Sequence, residues 1–134
     1  MRFDEKYFTK FKFTAEQVQK NFANAVKDMG IAQKDEIPEV KFNYVYSALI
    51  KSGIALLSHH GEKVKSVPGH HIKIIEAIAT LLEDETINDM GNMMRSKRNM
   101  DLYEGGVDVT EKECREYIMF VDKVIERIKG IVPE

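Results

Sequence analysis

The residue types that could do chemistry in this chain gather in one segment, MRSKRNMDLYEGG, residues 94–106. Arg95, Lys97 and Arg98 place three cations within four residues of a sequence that is otherwise charge-balanced. On a helix, Arg95 and Arg98 project to one side, a spacing that can clamp a phosphate from two directions. Asn99 adds a polar donor beside Arg98. Asp101 or Glu104 could instead pair with the arginines as a plain surface network. From spacing alone, that solvated face is the favoured reading.

The four histidines stand as two adjacent pairs, His59-His60 and His70-His71. Neighbouring residues on a helix point about 100° apart, so neither pair can chelate from one face as histidines four residues apart can. No Cys or Glu stands at a ligand spacing beside them, and neither a metal nor a cofactor is expected. His59 and His60 fall in the last turn of a helix, where the dipole favours imidazolium. His70 and His71 open the next helix, and one of them could face a cleft. Cys114 lies on an apolar stripe and reads as core. The sequence has no GxGxxG, P-loop or GxSxG, which removes support for dinucleotide binding, Walker-type phosphate chemistry and a nucleophile elbow.

These residues need elements to position them. Thr14 reads as an N-cap with Gln17 as its capping-box partner. Val18, Phe22, Ala25, Val26 and Met29 follow at helical steps, and Gly30 is placed to close that helix. Pro38 suits the first turn of a second helix, VKFNYVYSALIKSGIALLSHHG, in which apolar residues surround the axis almost completely. That predicts a buried central helix ending at Gly61. Pro68 opens a third helix, with Ile72, Ile75, Ala79 and Leu82 on one face. A fourth begins near Thr86 and carries Ile87, Met90, Met93 and Met94 towards Tyr103, before Glu104-Gly105-Gly106 breaks it. The last starts at Thr110 with Glu113 as capping partner and shows Cys114, Tyr117, Ile118, Val121, Val124, Ile125 and Ile128 on one stripe. Pro133 limits any continuation. Residues 1–13, aromatic and basic, read as a tail or first helical turn rather than a strand, and no strand pair with a turn signal follows. The expectation is an all-α, antiparallel up-down bundle of four to five helices within a single domain over residues 1–134, the bundle itself occupying 14–130.

Composition narrows the function classes. A chain of 134 residues is the size of one domain and can bury roughly two-thirds of its unfolded surface without a staple. With 43% hydrophobic and 31% charged residues it is an ordinary globular mix, which excludes disorder. A formal charge of −2 supplies no global field for nucleic acid or anionic membrane, so any such affinity must come from a local patch. No run nears the roughly 18 apolar residues of a spanning helix, and the opening MRFDEKYFTKFKF lacks an apolar h-region. A lone cysteine fits a reducing compartment, so a cytoplasmic domain with no membrane partner is expected.

Over most of its length, the order of these features resembles the HEPN domain family of helical nucleotide-binding proteins, small stand-alone prokaryotic members above all. The likeness rests on the Tyr/Ala-rich second helix, the histidine-led PGHHIKIIEAIATLLED, the Arg-Asn motif RSKRNMDLYEGG and the acidic opening of the last helix, VTEKECREYIMFVDKVIERIK. The resemblance implies a homodimer with two motif copies facing across a cleft. It also implies nucleotide or RNA binding and partnership with a minimal nucleotidyltransferase in a toxin–antitoxin or defence-like pair. Active members of the family are metal-independent ribonucleases, with an Arg, a polar neighbour, a short spacer and a His. Here Arg98 and Asn99 match, Tyr103 stands where the shortest-spaced His would be, and no His follows His71. Metal-free RNA cleavage needs a group that deprotonates the ribose 2′-OH, and a phenol with a pKa near 10 is a poor base at neutral pH.

The leading expectation is therefore a ligand-binding protein with contacts from Arg95, Lys97, Arg98, Asn99, Tyr103, His70 and His71. The alternatives are a metal-independent endoribonuclease acting through Arg98, Asn99 and Tyr103, and a helical interaction module whose basic turn is merely solvated. Met90, Met93 and Met94 offer an adaptable apolar surface for a dimer, or else are core.

Overall fold

Two capping boxes set where the first and last helices begin. The Gln17 amide donates to Thr14 Oγ1 at 3.1 Å while the Thr14 amide donates to Gln17 Oε1 at 2.9 Å. Glu113 and Thr110 repeat the exchange at 3.0 and 3.2 Å. Each box satisfies two orphan amides at a helix start, as the sequence anticipates. In the computed structural model of the chain, the described residues are 3–103 and 109–132, the side chains of 101–103 excepted. The Glu104-Gly105-Gly106 break, the side chains of Asp101 and Tyr103, and Pro133 lie outside the described residues.

Among the described residues, five helices build the fold: α1 (Ala15–Lys34), α2 (Pro38–His59), α3 (His70–Leu81), α4 (Glu85–Tyr103) and α5 (Glu111–Lys129). This is the all-α bundle expected, at the upper end of the expected helix count. Helix α2 is the central element and packs against each of the other four. Its buried residues run from Phe42 to Ser58 on nearly every side, which follows from its nearly continuous apolar sequence. The stripe on α5 from Cys114 to Ile128 is buried apart from the half-buried Ile118.

Several expectations need correction. Helix α1 does not stop at Gly30 but continues to Lys34, because the apolar stripe carries on to the fully buried Ala32 and packing holds the chain helical through the glycine. Val26 and Ile72, placed on core faces by their spacing, are exposed. Met94 belongs to the core while Met93 is exposed, so the methionines do not form one surface cluster. The N-terminal segment makes one turn, with the Tyr7 and Phe8 amides donating to Asp4 O at 3.0 and 2.9 Å, and then the strand that the sequence argued against. Phe8–Lys10 forms β1, which pairs antiparallel with β2, Glu62–Val64, in the register Phe8↔Val64, Thr9↔Lys63 and Lys10↔Glu62. Lys65 N–H donating to Tyr7 O at 2.7 Å and Phe11 N–H donating to Gly61 O at 3.0 Å extend the pairing at both ends. These strands are three residues each and far apart in sequence, so no hairpin signal announces them.

Two glycines decide how α3 nests. A Cβ on Gly53 of α2 would lie 2.5 Å from Ile74 Cγ2 and 2.8 Å from Ile78 Cδ1, and one on Gly91 of α4 would lie 2.6 Å from Ile75 Cγ2. Helix α3 therefore sits against the bare backbone of both neighbours. At its far end, Arg127 of α5 donates to Asp84 Oδ2 at 2.8 Å and to Leu82 O at 2.5 Å, anchoring the α3–α4 turn.

A pair of substitutions tests this packing. Gly30 is helical with open space around it, so Gly30→Ala should raise stability by about 0.5–1 kcal/mol through backbone entropy. Gly53→Ala gains the same propensity but forces Ile74 and Ile78 aside at a cost of about 1–3 kcal/mol, so it should lower stability. Denaturant unfolding midpoints of the two variants should move in opposite directions.

Candidate functional site

The nesting of α3 brings its first turn up to the face of α4 that carries the arginines. Ser66, Val67, Pro68, Gly69, His70, His71 and Ile72 form one side of a cleft, and Arg95, Arg98 and Asn99 form the other. Its volume is about 450 Å³, a size that accommodates a small ligand. His71 and Arg98 also line a second depression of about 420 Å³ with Tyr46, Ser47, Lys51 and neighbouring residues of α2. The two hollows thus share a wall made of an imidazole and a guanidinium. No carboxylate lines either hollow among the described residues.

Local geometry explains how each side chain is held. Gly69 takes the positive φ of 84° needed to enter α3, a conformation that suits glycine. His70 Nδ1 lies 2.8 Å from Val67 O, so its ring is fixed against the entering loop. His71 Nδ1 lies 2.9 Å from the Tyr46 hydroxyl, a hydrogen bond whose direction follows the imidazole tautomer. The two histidine rings meet edge to face at 4.5 Å. Arg98 stacks its guanidinium over the Tyr46 ring, 5.5 Å from the centroid. Arg95 Nε donates to Asn92 Oδ1 at 3.2 Å. Neither arginine meets a carboxylate among the described residues.

Lys97 turns away from this cleft. Its ammonium pairs with Glu113 of α5 and rests 5.9 Å from the Tyr117 ring centroid. The Lys97 hydrogen bond holds the Glu113 carboxyl below its usual range, helped by the Thr110 backbone. Of the three clustered cations, only Arg95 and Arg98 share the cleft, as their helical spacing predicts. Asn99 joins them, and His70 and His71 reach it from α3. Tyr103, the remaining expected contact, has its side chain outside the described residues. His59 and His60 stand apart at the end of α2, and the dipole argument for a charged His60 fails. Desolvation, with His59 beside it, lowers the His60 pKa instead.

Tyr46 is the site residue that sequence reasoning passed over. Its signal was a polar aromatic within a helix buried on nearly every side, where a phenol must find a partner. Burial pushes its pKa up to about 12, against the pull of Arg98 and Arg95. Burial first, then His70, Arg98 and Arg95, lower that of His71 to about 4. At neutral pH both members of the pair are uncharged, and the cleft's positive charge rests on the two arginines. Among the described residues, no group of three His, Cys, Asp or Glu side chains is arranged to hold a metal ion, and no helix is long and apolar enough to cross a membrane. Comparison with family models, curated proteins and solved structures finds no match for the chain.

The His71 shift sets a pH dependence. The folded state refuses a proton that the unfolded imidazole takes up at its ordinary pKa of 6.5, so stability is fully present above pH 6.5 and falls as the pH drops towards 4. His60 acts in the same direction, whereas the stabilisation from the lowered carboxyls of Asp84 and Glu113 is present at neutral pH and is lost only at more acid pH. Denaturation midpoints measured from pH 7.5 to 4 should decline in the parent and decline less in His71→Asn.

Proposed function

We propose that this chain is a HEPN-type nucleotide- or RNA-binding protein that holds a phosphate group in the cleft between α3 and α4. One observation carries the reading. Arg95, Arg98 and Asn99 line the same hollow as the first turn of α3, with no carboxylate among its described lining. The positive end of the α3 dipole favours an anion, and two guanidinium groups supply the charge that the chain as a whole lacks. Asn99 and the ring nitrogens of His70 and His71 add groups that can orient a ribose or a base. Pairing with a minimal nucleotidyltransferase follows from the family resemblance alone, as does the two-fold dimer. The exposed Met93 and Met100 on α4 suit such an interface.

A second reading, metal-independent cleavage of RNA, is favoured by one feature. His71 is an uncharged imidazole in the arginine-lined cleft at neutral pH, where the sequence motif has no histidine of its own. Its Nδ1 is engaged by Tyr46, which leaves Nε2 as the atom able to exchange a proton with a substrate. Arg98 would stabilise the charge developing on the phosphorane.

Titration with a fluorescent nucleoside monophosphate separates these readings. Binding should be weak and salt-dependent, since two arginines neutralise few phosphates. Arg98→Ala should weaken it at least about tenfold, as expected for loss of a bidentate contact, whereas Lys97→Ala should leave it nearly unchanged. Equal, negligible effects would return the basic segment to a solvated surface. EDTA-resistant RNA cleavage lost in both Arg98→Ala and His71→Ala would establish the second reading.

A further inference from the structure

A third pocket, built from the N-terminal strand and separate from the arginine cleft, contains a buried carboxylate. Glu62 on β2 lies directly opposite Lys10 on β1, and Phe3, Glu5, Phe8, Thr9 and Lys65 complete a cavity of about 570 Å³ around them. The Glu62 side chain is only 3% exposed. Lys10 Nζ lies 3.0 Å from Glu62 Oε2, yet Oε2 has no directed hydrogen bond among the described residues. A buried carboxylate oxygen whose one contact is an ion pair without hydrogen-bond alignment is costly, and a partner side chain 83% exposed to water offsets little of that cost.

The same ammonium lies 5.5 Å from the Phe3 ring centroid, and Phe3 packs edge to face on the buried Phe8 at 5.7 Å. A carboxylate beside aromatic rings is the arrangement that recognises an organic cation. The other cation of the wall, Lys65, is held by the Glu5 carbonyl at 2.7 Å.

We propose that this pocket recognises a primary alkylammonium group, and that Lys10 occupies the position of that group when no ligand is bound. The ligand's N–H groups would donate to Glu62 Oε2, its charge would face the Phe3 ring, and its alkyl stem would lie along Phe8. Glu62 and Glu5 both disfavour an anion there. A free aliphatic amine and a lysine side chain present the same chemistry, and the test distinguishes them. The proposal is independent of the phosphate cleft, which uses other elements and the opposite ligand charge.

The experiment follows the ring signals of Phe3 and Phe8 by NMR while 1,5-diaminopentane or a backbone-blocked lysine is added. Lys10→Ala should bind either compound several-fold more tightly than the parent, because the internal competitor is gone. Adding Glu62→Gln to that variant should weaken binding at least about tenfold through loss of the charged hydrogen bond. Tetramethylammonium, which has no N–H, should bind less tightly than the diamine. Tighter binding of the blocked lysine than of the diamine would support a peptide source, and the reverse a free amine. Should Glu62→Gln fail to fold, Phe3→Leu in the Lys10→Ala background keeps the carboxylate and should weaken binding several-fold. Ring signals unmoved by both amines in Lys10→Ala would overturn the proposal, as would affinity unchanged by both Glu62→Gln and Phe3→Leu. Inorganic phosphate shifting those signals where the amines do not would overturn it in favour of an anion site.

Discussion

The contact of α3 with the bare backbone at Gly53 and Gly91 is the constraint on which the rest of the molecule depends. Side chains at either position would push Ile74, Ile75 or Ile78 outward and lift α3 from its neighbours. Because α3 lies close to both, its first turn reaches Tyr46 on one side and Arg95 and Arg98 on the other. The Arg127 contacts to Asp84 and Leu82 fix the opposite end of the helix. A helix held at its middle and its far end presents its N-terminal histidines in a defined place. The site is thus a consequence of core packing rather than of the loop that lines it.

Charge is distributed so that the cleft stays positive without burying an unpaired cation deeply. Tyr46 and His71 satisfy each other by a hydrogen bond while both remain neutral, which avoids the penalty of a buried imidazolium beside two guanidinium groups. Arg98 spreads its charge over the Tyr46 ring. Lys97, one position away, is drawn off to Glu113 and instead ties α4 to the start of α5. Neighbouring cations on one helix thus serve different purposes, because a step of one residue turns the side chain by about 100°.

Much of this was legible in the sequence. The capping boxes at Thr14 and Thr110, the apolar wrap of α2 and the stripe of α5 each follow a local rule, and each was found where that rule puts it. The shared direction of Arg95 and Arg98 was legible for the same reason. What escaped was non-local. The strands β1 and β2 are three residues each and meet across more than fifty positions of chain, so their pairing depends on tertiary contacts that no short window contains. Gly30 carried the usual mark of a helix end, but burial of Ala32 beyond it outweighed that preference. The approach of His71 to the arginines, and the role of Tyr46, depend on the depth at which α3 settles. Glycine spacing hints at that depth without fixing it.

The central claim is that Arg95, Arg98 and His71 share one phosphate-binding cleft, and the titration of His71 tests it most directly. The pKa of its imidazole, read from the ring proton signals by NMR, should lie near 4 in the unliganded protein. Saturation with a nucleoside monophosphate places an anionic phosphate beside that ring, favours its protonated form and should raise the pKa towards the ordinary 6.5. His60, at the far end of α2, should keep the same lowered pKa in both states. A His71 pKa that does not move on saturation, with the nucleotide demonstrably bound, would place the phosphate elsewhere and contradict the account.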